Sequence, residues 1–237
     1  MPASIPARIA RLDWPAIEAA LDEQGYATTR PLLEADECAA LGGLFTDERR
    51  FRSRIDMARY RFGVGEYKYF AAPLPEPVAA LRTALFRRLA PVANRWMEAL
   101  GSAERYPADH ATYLARCAAH GQTRPTPLLL RYTAGGYNCL HQDLYGVLAF
   151  PLQVTCVLSQ VDADYTGGEI LLVEQRPRAQ SRGEAVVLAR GEAVIFPNRL
   201  RPVRGARGWF RTTVRHGVSR IRSGERLSLG LIFHDAE

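Results

Sequence analysis

The spacing of the apolar residues changes near Thr126, and this change constrains the fold more than any other feature of the chain. Before it, apolar residues recur at helical spacing, as at Val78, Leu81 and Leu85, which predicts amphipathic helices. After it, short runs rich in β-branched and aromatic residues are separated by Gly, Pro and Asn. This order of patterns predicts helices that pack outside a β-core.

Four helices are predicted in the first part of the chain. Asp13 and Pro15 suit the start of the first helix, and Gly25 suits its end. Pro91 lies inside the third helix and is expected to kink it or split it in two. The predicted helices cover residues 13–25, 35–45, 77–100 and 108–119.

Seven strands are predicted in the second part, at 128–132, 152–158, 169–173, 185–188, 193–196, 209–216 and 226–233. Short strands with turn residues between them indicate a sandwich or a jelly roll. The expected fold class is α+β, with a double-stranded β-helix (jelly roll) core and the N-terminal helices packed outside it. One domain is expected over 1–237, with 1–126 as a mainly helical support region and 127–237 as the jelly-roll catalytic core.

The composition favours a globular protein of the cytoplasm. Of the 237 residues, 47% are hydrophobic and 24% are charged, which is ordinary for a protein that buries one core. No run of 18 apolar residues predicts a membrane span, and no apolar segment after Arg11 suggests a secretory signal. The four cysteines form no CxxC pair and are expected to be reduced thiols. We therefore expect no membrane partner.

One of the five histidines belongs to an H-x-D pair, His141 with Asp143. Residues i and i+2 of an extended chain point to the same face, so both side chains could reach one metal ion. An ordinary hydrogen-bonded pair has the same spacing. His216 lies 75 residues later in a predicted strand. Two His and one Asp on a jelly roll would form the facial triad of non-haem Fe(II) oxygenases.

The last predicted strand alternates between leucines on one face and Arg226, Ser228 and Gly230 on the other. An arginine that points inward is costly to bury without a partner. A bound carboxylate, held through two parallel hydrogen bonds, would satisfy it. Ser228 would add a hydroxyl donor, and Gly230 would leave space for the anion.

These segments resemble the 2-oxoglutarate/Fe(II)-dependent oxygenase superfamily, on its prolyl-hydroxylase-like side. Four motifs carry the resemblance, in order between about 128 and 235: YTAGGYNCLHQD at 132–143, GGE at 167–169, HGV at 216–218 and GERLSL at 224–229. Over nearly its full length the chain is also similar to an uncharacterised bacterial subgroup of the superfamily. That subgroup is described, by analogy with DNA alkylation-repair dioxygenases, as acting on methylated nucleic acid.

The resemblance implies a metal centre and a cosubstrate site. The implied metal ligands and catalytic residues are His141, Asp143 and His216, and the implied cosubstrate contacts are Arg226, Ser228 and Tyr132. The metal would be Fe(II), the cosubstrate 2-oxoglutarate and the oxidant O2, with ascorbate as a supportive reductant.

The charge distribution bears on the substrate. The net charge is +6, and residues 171–230 hold thirteen arginines against four glutamates, which favours an anionic partner. The expected activity is hydroxylation of a C–H bond, with oxidative demethylation of alkylated nucleic acid as the first candidate. Hydroxylation of a protein side chain, prolyl-type, or of a small molecule is the alternative. A cupin-like metal-binding module and a nucleic-acid-binding protein with an inert β-core are the non-oxygenase alternatives.

A cluster of aromatic and basic residues lies between positions 59 and 70. Its aromatic members are Tyr60, Phe62, Tyr67, Tyr69 and Phe70. Such a cluster is suited to stacking on bases or on peptide rings, although packing within a strand is the more common reason for it. Both interpretations stay open from the sequence.

Overall fold

The computed structural model describes residues 3–206 and 208–237. Five α-helices occur within these two ranges. They are α1 (Ile5–Ala10), α2 (Trp14–Glu23), α3 (Ala35–Gly43), α4 (Glu76–Ala99) and α5 (His110–Ala119). The last four lie close to the bounds expected from the sequence, and α1 is an addition to them.

Pro91 does not split the long helix, because α4 continues from Glu76 to Ala99. A proline inside a helix removes the hydrogen bond that its amide would donate to the carbonyl four residues earlier. Pro91 lies on the exposed side of α4, where water can solvate that carbonyl. The opposite side of the helix is held in the core by Leu85, Leu89 and Trp96.

Fourteen strands are present in the part of the chain that the structure describes. They are β1 (Ala27–Thr28), β2 (Phe51–Asp56), β3 (Gly63–Val64), β4 (Glu66–Phe70), β5 (Leu128–Thr133), β6 (Tyr137–His141), β7 (Leu152–Val157), β8 (Tyr165–Gly167), β9 (Ile170–Gln175), β10 (Arg182–Val186), β11 (Ala193–Pro197), β12 (Leu200–Gly205), β13 (Gly208–Val218) and β14 (Ile221–Leu231). The seven predicted strands correspond to β5, β7, β9, β10, β11, β13 and β14.

The strands form two antiparallel sheets. The major sheet has the order β1-β11-β7-β14-β5-β4-β2, and β8 also pairs with β14. The minor sheet has the order β10-β9-β13-β6-β3, and β12 pairs with β13. This is the double-stranded β-helix that the strand pattern indicated, with helices packed on the major sheet.

The major sheet is buried on both faces, which explains its nearly continuous apolar strands. Ala193 and Ile195 of β11 belong to a large cluster shared with the helices. Val194 and Phe196 of the same strand belong to a second cluster that includes side chains of the minor sheet. The molecule therefore has three layers, and the space between the two sheets is available for a site.

Residues 1–126 also contribute strands beyond the seven that were predicted, although packing within a strand was one interpretation of the aromatic cluster that contains β4. β4 pairs with β5 in the major sheet and β2 pairs with β4. β3 pairs with β6 in the minor sheet. The support region is therefore built into both sheets as well as packed outside them.

Among the residues described, no helix combines the length and the apolar character that crossing a bilayer requires. The assignment of the whole chain to one domain stays a prediction.

Candidate metal centre

Two of the three predicted ligands face each other across a pair of strands. His141 is the last residue of β6, and it is the register partner of His216 in β13. The two imidazole centroids are 4.1 Å apart. Directly opposed residues of an antiparallel pair project to the same face, so the register alone brings the two rings together.

Asp143 completes the group from the segment that follows β6. Its Oδ2 lies 3.1 Å from Nε2 of His216, and its Oδ1 lies 3.6 Å from Nε2 of His141. One ligand atom from each of the three residues lies within 4.8 Å of the others. The structure thus brings together the three side chains that the sequence selected.

Hydrogen bonding sets the orientation of the first imidazole. Nδ1 of His141 lies 2.8 Å from the carbonyl oxygen of Cys139, so this nitrogen carries the proton and donates it. Nε2 then keeps its lone pair, as a metal ligand must. The donor set, two imidazole nitrogens and one carboxylate on a single face, suits Fe(II) with open coordination positions.

The ionisation of these groups favours metal binding as well. Burial lowers the pKa of His141, and the neighbouring His216 lowers it further. Burial alone would raise the pKa of Asp143, but the hydrogen bond and charge of His216 together hold it below its ordinary value. A neutral imidazole and an ionised carboxylate are the forms that bind a metal.

A pair of tyrosines that sequence reasoning missed holds the carboxylate. The Tyr145 hydroxyl donates to Oδ1 of Asp143 at 2.6 Å, and the Tyr69 hydroxyl donates to Tyr145 at 2.9 Å. Burial, followed by the charge of Asp143, raises the pKa of Tyr145, so it stays a neutral donor. In the sequence, only the position of Tyr145 two residues after Asp143 could have indicated this role.

Gln122 fixes the path of the loop that carries Tyr145. It is fully buried, and its amide nitrogen donates to the carbonyl oxygens of Tyr145 and Leu148. Its amide oxygen accepts from the backbone N–H of Leu148 at 2.7 Å. This side chain therefore replaces the backbone pairing that an irregular loop lacks.

The triad opens into a cavity of about 410 Å³ between the sheets. Its wall is largely aromatic and apolar, and it includes Phe62, Tyr67, Tyr69, Leu130, Tyr145, Ile170 and Val218. Polar lining residues include Asn138, Gln153, Thr155 and Ser228. A concave, mostly apolar space with a few convergent polar groups is typical of a small-molecule site.

Arg226 lies beside this cavity as a buried cation without an acidic partner in the described chain. Its side chain is 1% exposed, its Nη1 donates to the Ser228 hydroxyl at 3.0 Å, and its Nε has no hydrogen-bond partner there. Ser228 lines the cavity, whereas Arg226 stands behind it. A buried guanidinium with so few partners is the observation that a bound carboxylate would explain.

Tyr132 is the register partner of Arg226 across β5 and β14. Its hydroxyl accepts a hydrogen bond from the Asn138 amide at 3.2 Å, and Asn138, rather than Tyr132, lines the cavity. The structure therefore places Tyr132 next to the guanidinium and one side chain away from the open space.

The glycine pair before β9 has a steric reason. Gly168 adopts φ +69°, and a Cβ there would lie 2.4 Å from Ile221 Cδ1 and 2.9 Å from Arg226 Cδ. Only glycine accepts both the backbone conformation and this close approach. The GGE motif thus leaves the space that the Arg226 side chain occupies.

Comparisons with known proteins agree with this geometry. Residues 65–236 match the model of a protein family, Oxygenase-NA, described as an oxygenase catalysing oxidative methylation of damaged DNA. An uncharacterised protein of Mycobacterium tuberculosis, present in strains CDC 1551 and H37Rv, is 54% identical over 167 residues. The match covers 70% of this chain and 72% of that relative.

Two solved structures share the fold. A prolyl-4-hydroxylase of Pseudomonas putida has a TM-score of 0.57 and 16% identity, over 94% of this chain and 99% of that one. An oxidoreductase of the 2OG-Fe(II) oxygenase family from Burkholderia pseudomallei has a TM-score of 0.54 and 15% identity, over 94% and 92%. At this identity the likeness concerns the architecture.

Proposed function

The chain belongs to the Oxygenase-NA family of oxygenases, and from this premise we propose that it is an Fe(II)- and 2-oxoglutarate-dependent dioxygenase that removes methyl groups from damaged DNA bases. One observation carries the proposal: two imidazoles and a carboxylate converge on a cavity beside the buried guanidinium of Arg226, which has no acidic partner among the residues described.

His141 and His216 would bind the iron through Nε2, and Asp143 would bind it through its carboxylate. Tyr145 would keep the carboxylate oriented through its hydrogen bond to Oδ1. When bound, the iron and its cosubstrate supply the oxidation, in which O2 and 2-oxoglutarate yield succinate and CO2 and one oxygen atom enters a substrate C–H bond.

Arg226 and Ser228 would hold the distal carboxylate of 2-oxoglutarate. The guanidinium presents unused donors in a buried position, and hydrogen bonds between two charged groups are short and strong. Tyr132 would support Arg226 from the side away from the cavity and would not contact the cosubstrate, because its hydroxyl is already hydrogen-bonded to Asn138. Arg226 and Ser228 would thereby set the orientation of the cosubstrate in the cavity.

The substrate methyl group would enter the cavity between Tyr67, Tyr69 and Ile170, which line it. An aromatic wall suits the planar ring of a nucleobase. Oxidation of an N-methyl C–H bond gives an N-hydroxymethyl group, which breaks down to formaldehyde and the free N–H. The reaction that we propose therefore takes the methyl group away and restores the base.

Two further points belong to the proposal. Ascorbate would support turnover by keeping the iron ferrous.

The four cysteines are free thiols in the structure, three of them buried, and this supports a reducing compartment such as the cytoplasm.

Coupled turnover tests the function. The protein would be incubated with Fe(II), ascorbate and 2-oxoglutarate, and succinate would be measured with and without methylated oligonucleotides or a peptide library. Formaldehyde released together with succinate from the oligonucleotides supports DNA demethylation. A peptide that gains the mass of one oxygen atom, with no formaldehyde from DNA, would replace our proposal with protein hydroxylation.

A further inference from the structure

We propose that Tyr60 and Phe62 form a stacking platform for an unpaired nucleobase of single-stranded DNA, adjacent to the base that enters the cavity. Arg59 and Arg61 would contact the phosphates on either side of it. The inference rests on the proposed function, since it names how the substrate of that same site is held. The structure leaves two members of the aromatic cluster exposed, which favours this interpretation for those two.

The aromatic cluster divides into two groups in the structure. Tyr69 and Phe70 are buried, and Tyr67 and Tyr69 line the cavity. Tyr60 and Phe62, in contrast, are 54% and 47% exposed. Trp209 is the one other large aromatic side chain that is exposed in residues 3–206 and 208–237, so two of the three such rings stand side by side.

The two exposed rings already have the geometry of a stack. Their centroids are 5.5 Å apart and their planes differ by 20°. Phe62 also lines the cavity, together with Arg61. If one base stacked on this pair, the strand that carries it would therefore lead directly into the opening of the cavity, where the next base would face the proposed metal centre.

The segment that carries the platform is held rigidly. Oδ1 of Asp56 accepts a hydrogen bond from the Ala58 amide at 3.0 Å, at the start of a 3-10 turn. Met57 is fully buried, and its carbonyl accepts from the Phe62 amide at 3.0 Å. Arg61 takes a left-handed conformation with φ +60°, which is unfavourable for a residue other than glycine and points to a functional constraint.

The far side of the segment is fixed against the minor sheet. Gly63 pairs with Asn138 of β6, and a Cβ on Gly63 would lie 2.2 Å from the Tyr137 carbonyl oxygen. Because both ends are anchored, the rings are oriented before a ligand arrives. Such preorganisation lowers the entropic cost of binding.

The charges around the platform match a polyanion. Arg59 and Arg61 are exposed, and neither forms an ion pair with any residue that the structure describes. Arg220 lies 5.1 Å from the centroid of Tyr137, which is the register partner of Val64, two residues after Phe62. Aromatic rings between unpaired arginines are the arrangement by which proteins hold single strands.

Chemistry also favours an unpaired strand over a duplex. The faces of a base in a duplex are covered by its neighbours, so they are not available to an exposed ring. A methyl group can reach a buried metal only after its base has left the stack. The platform would hold the neighbouring base of a strand that is already open.

Fluorescence anisotropy tests the platform with a labelled oligothymidylate of about 10 nucleotides, a length within the usual site size. The protein would carry Mn(II) and 2-oxoglutarate so that no turnover occurs. Tyr60→Ala with Phe62→Ala should weaken binding by about 5- to 150-fold, as expected for the loss of one base stack. The same pair changed to leucine, which keeps apolar bulk without a π-face, should weaken it similarly.

Trp209→Ala is the matched control. Trp209 is an exposed aromatic residue beside Arg204, and it lies roughly 23 Å along β13 from His216 at the usual rise per residue. It should leave binding unchanged, and Tyr60→Phe with Phe62→Tyr should retain it. The platform would be overturned by any of three results: a wild-type protein that binds a duplex as tightly as the single strand, an alanine pair that binds oligothymidylate as tightly as the wild type does, or a wild-type protein that does not bind oligothymidylate.

Turnover separates this inference from the proposed function. With a methylated oligonucleotide, the alanine pair should raise KM. If the wild-type protein releases formaldehyde and the alanine pair does so with the same KM, the function stands and the platform is wrong. If oligothymidylate binding depends on both rings but no formaldehyde is released, the platform stands and the demethylation is wrong.

Discussion

Replacing Arg226 with methionine should separate the binding of 2-oxoglutarate from the stability of the protein. Arg226 is 1% exposed, its side chain makes one hydrogen bond, to Ser228, and Nε has no partner in the part of the chain described. Burial of an ion without an opposite charge beside it costs several kcal/mol, and the Tyr165 ring, 5.8 Å from the guanidinium carbon, offsets only part of this cost. Methionine has a similar length and no charge, so the variant without cosubstrate should unfold with a free energy that is unchanged or higher by about 1–4 kcal/mol.

The effect on the cosubstrate should have the opposite sign. Without the guanidinium, the distal carboxylate of 2-oxoglutarate would be buried without its partner, at a cost of about 3–5 kcal/mol. The affinity should therefore fall by about 100-fold to several thousand-fold. Binding of Mn(II) should stay as in the wild type, because Arg226 has no hydrogen bond to the three proposed ligands.

Urea unfolding and calorimetric titrations with Mn(II) and then 2-oxoglutarate would measure all three quantities. Arg201→Met is the matched control, because Arg201 is equally buried but is paired with Glu174 at 2.6 Å. Its loss should destabilise the protein, by up to about 3–5 kcal/mol and by less where Arg176 still neutralises Glu174. Cosubstrate affinity should not change. A methionine variant of Arg226 that is several kcal/mol less stable and still binds 2-oxoglutarate normally would refute the reasoning.

Three other perturbations have defined outcomes. Tyr145→Phe removes the hydrogen bond to the proposed carboxylate ligand and should weaken Mn(II) binding by about 10- to 100-fold in a titration; unchanged affinity would contradict the positioning role. Burial, then the charge of Arg82, lowers the pKa values of His110 and His234 from 6.5 to about 4. The unfolded chain therefore takes up protons first as the pH falls from 6.5 to 4, and these two histidines together should lower the free energy of unfolding, measured in urea, by roughly 2–3 kcal/mol per pH unit in that window. His110→Gln should reduce the slope by about 1.4 kcal/mol per pH unit. Gly101→Ala, with a left-handed φ but open space, should cost about 1–2 kcal/mol. Gly63→Ala should cost more, because its Cβ would also meet a carbonyl oxygen at 2.2 Å; equal costs would contradict the clash.

The candidate metal site could be predicted from the sequence because its chemistry is local in two short motifs. His141 and Asp143 are two residues apart, and the alternation around His216 is preserved in β13, where Thr212, Val214 and His216 are buried while Arg215 is exposed. Strand periodicity therefore identified the inward face. Their meeting depends on the register between β6 and β13, which no single strand encodes.

The parts that sequence reasoning missed depend on contacts between distant segments. The Tyr69–Tyr145 hydrogen bond joins residues 76 positions apart, and Gln122 holds a loop that begins 20 residues later. No periodicity marks such pairs. β2 was missed, and β4 stayed one of two interpretations of the aromatic cluster, because a short charged and aromatic run becomes a strand only when β5 offers its edge. Tertiary pairing therefore decides its state.

A titration with Mn(II), which accepts the same nitrogen and oxygen ligands as Fe(II), tests most directly the claim that His141, Asp143 and His216 bind one metal ion. Wild-type protein should bind one ion per chain, and His141→Ala, Asp143→Ala and His216→Ala should each abolish tight binding without unfolding the chain. His120→Ala, at an exposed histidine on the end of α5, should bind as the wild type does. A wild-type protein that binds no ion, or any of the three ligand variants that binds it with unchanged affinity, would contradict the account.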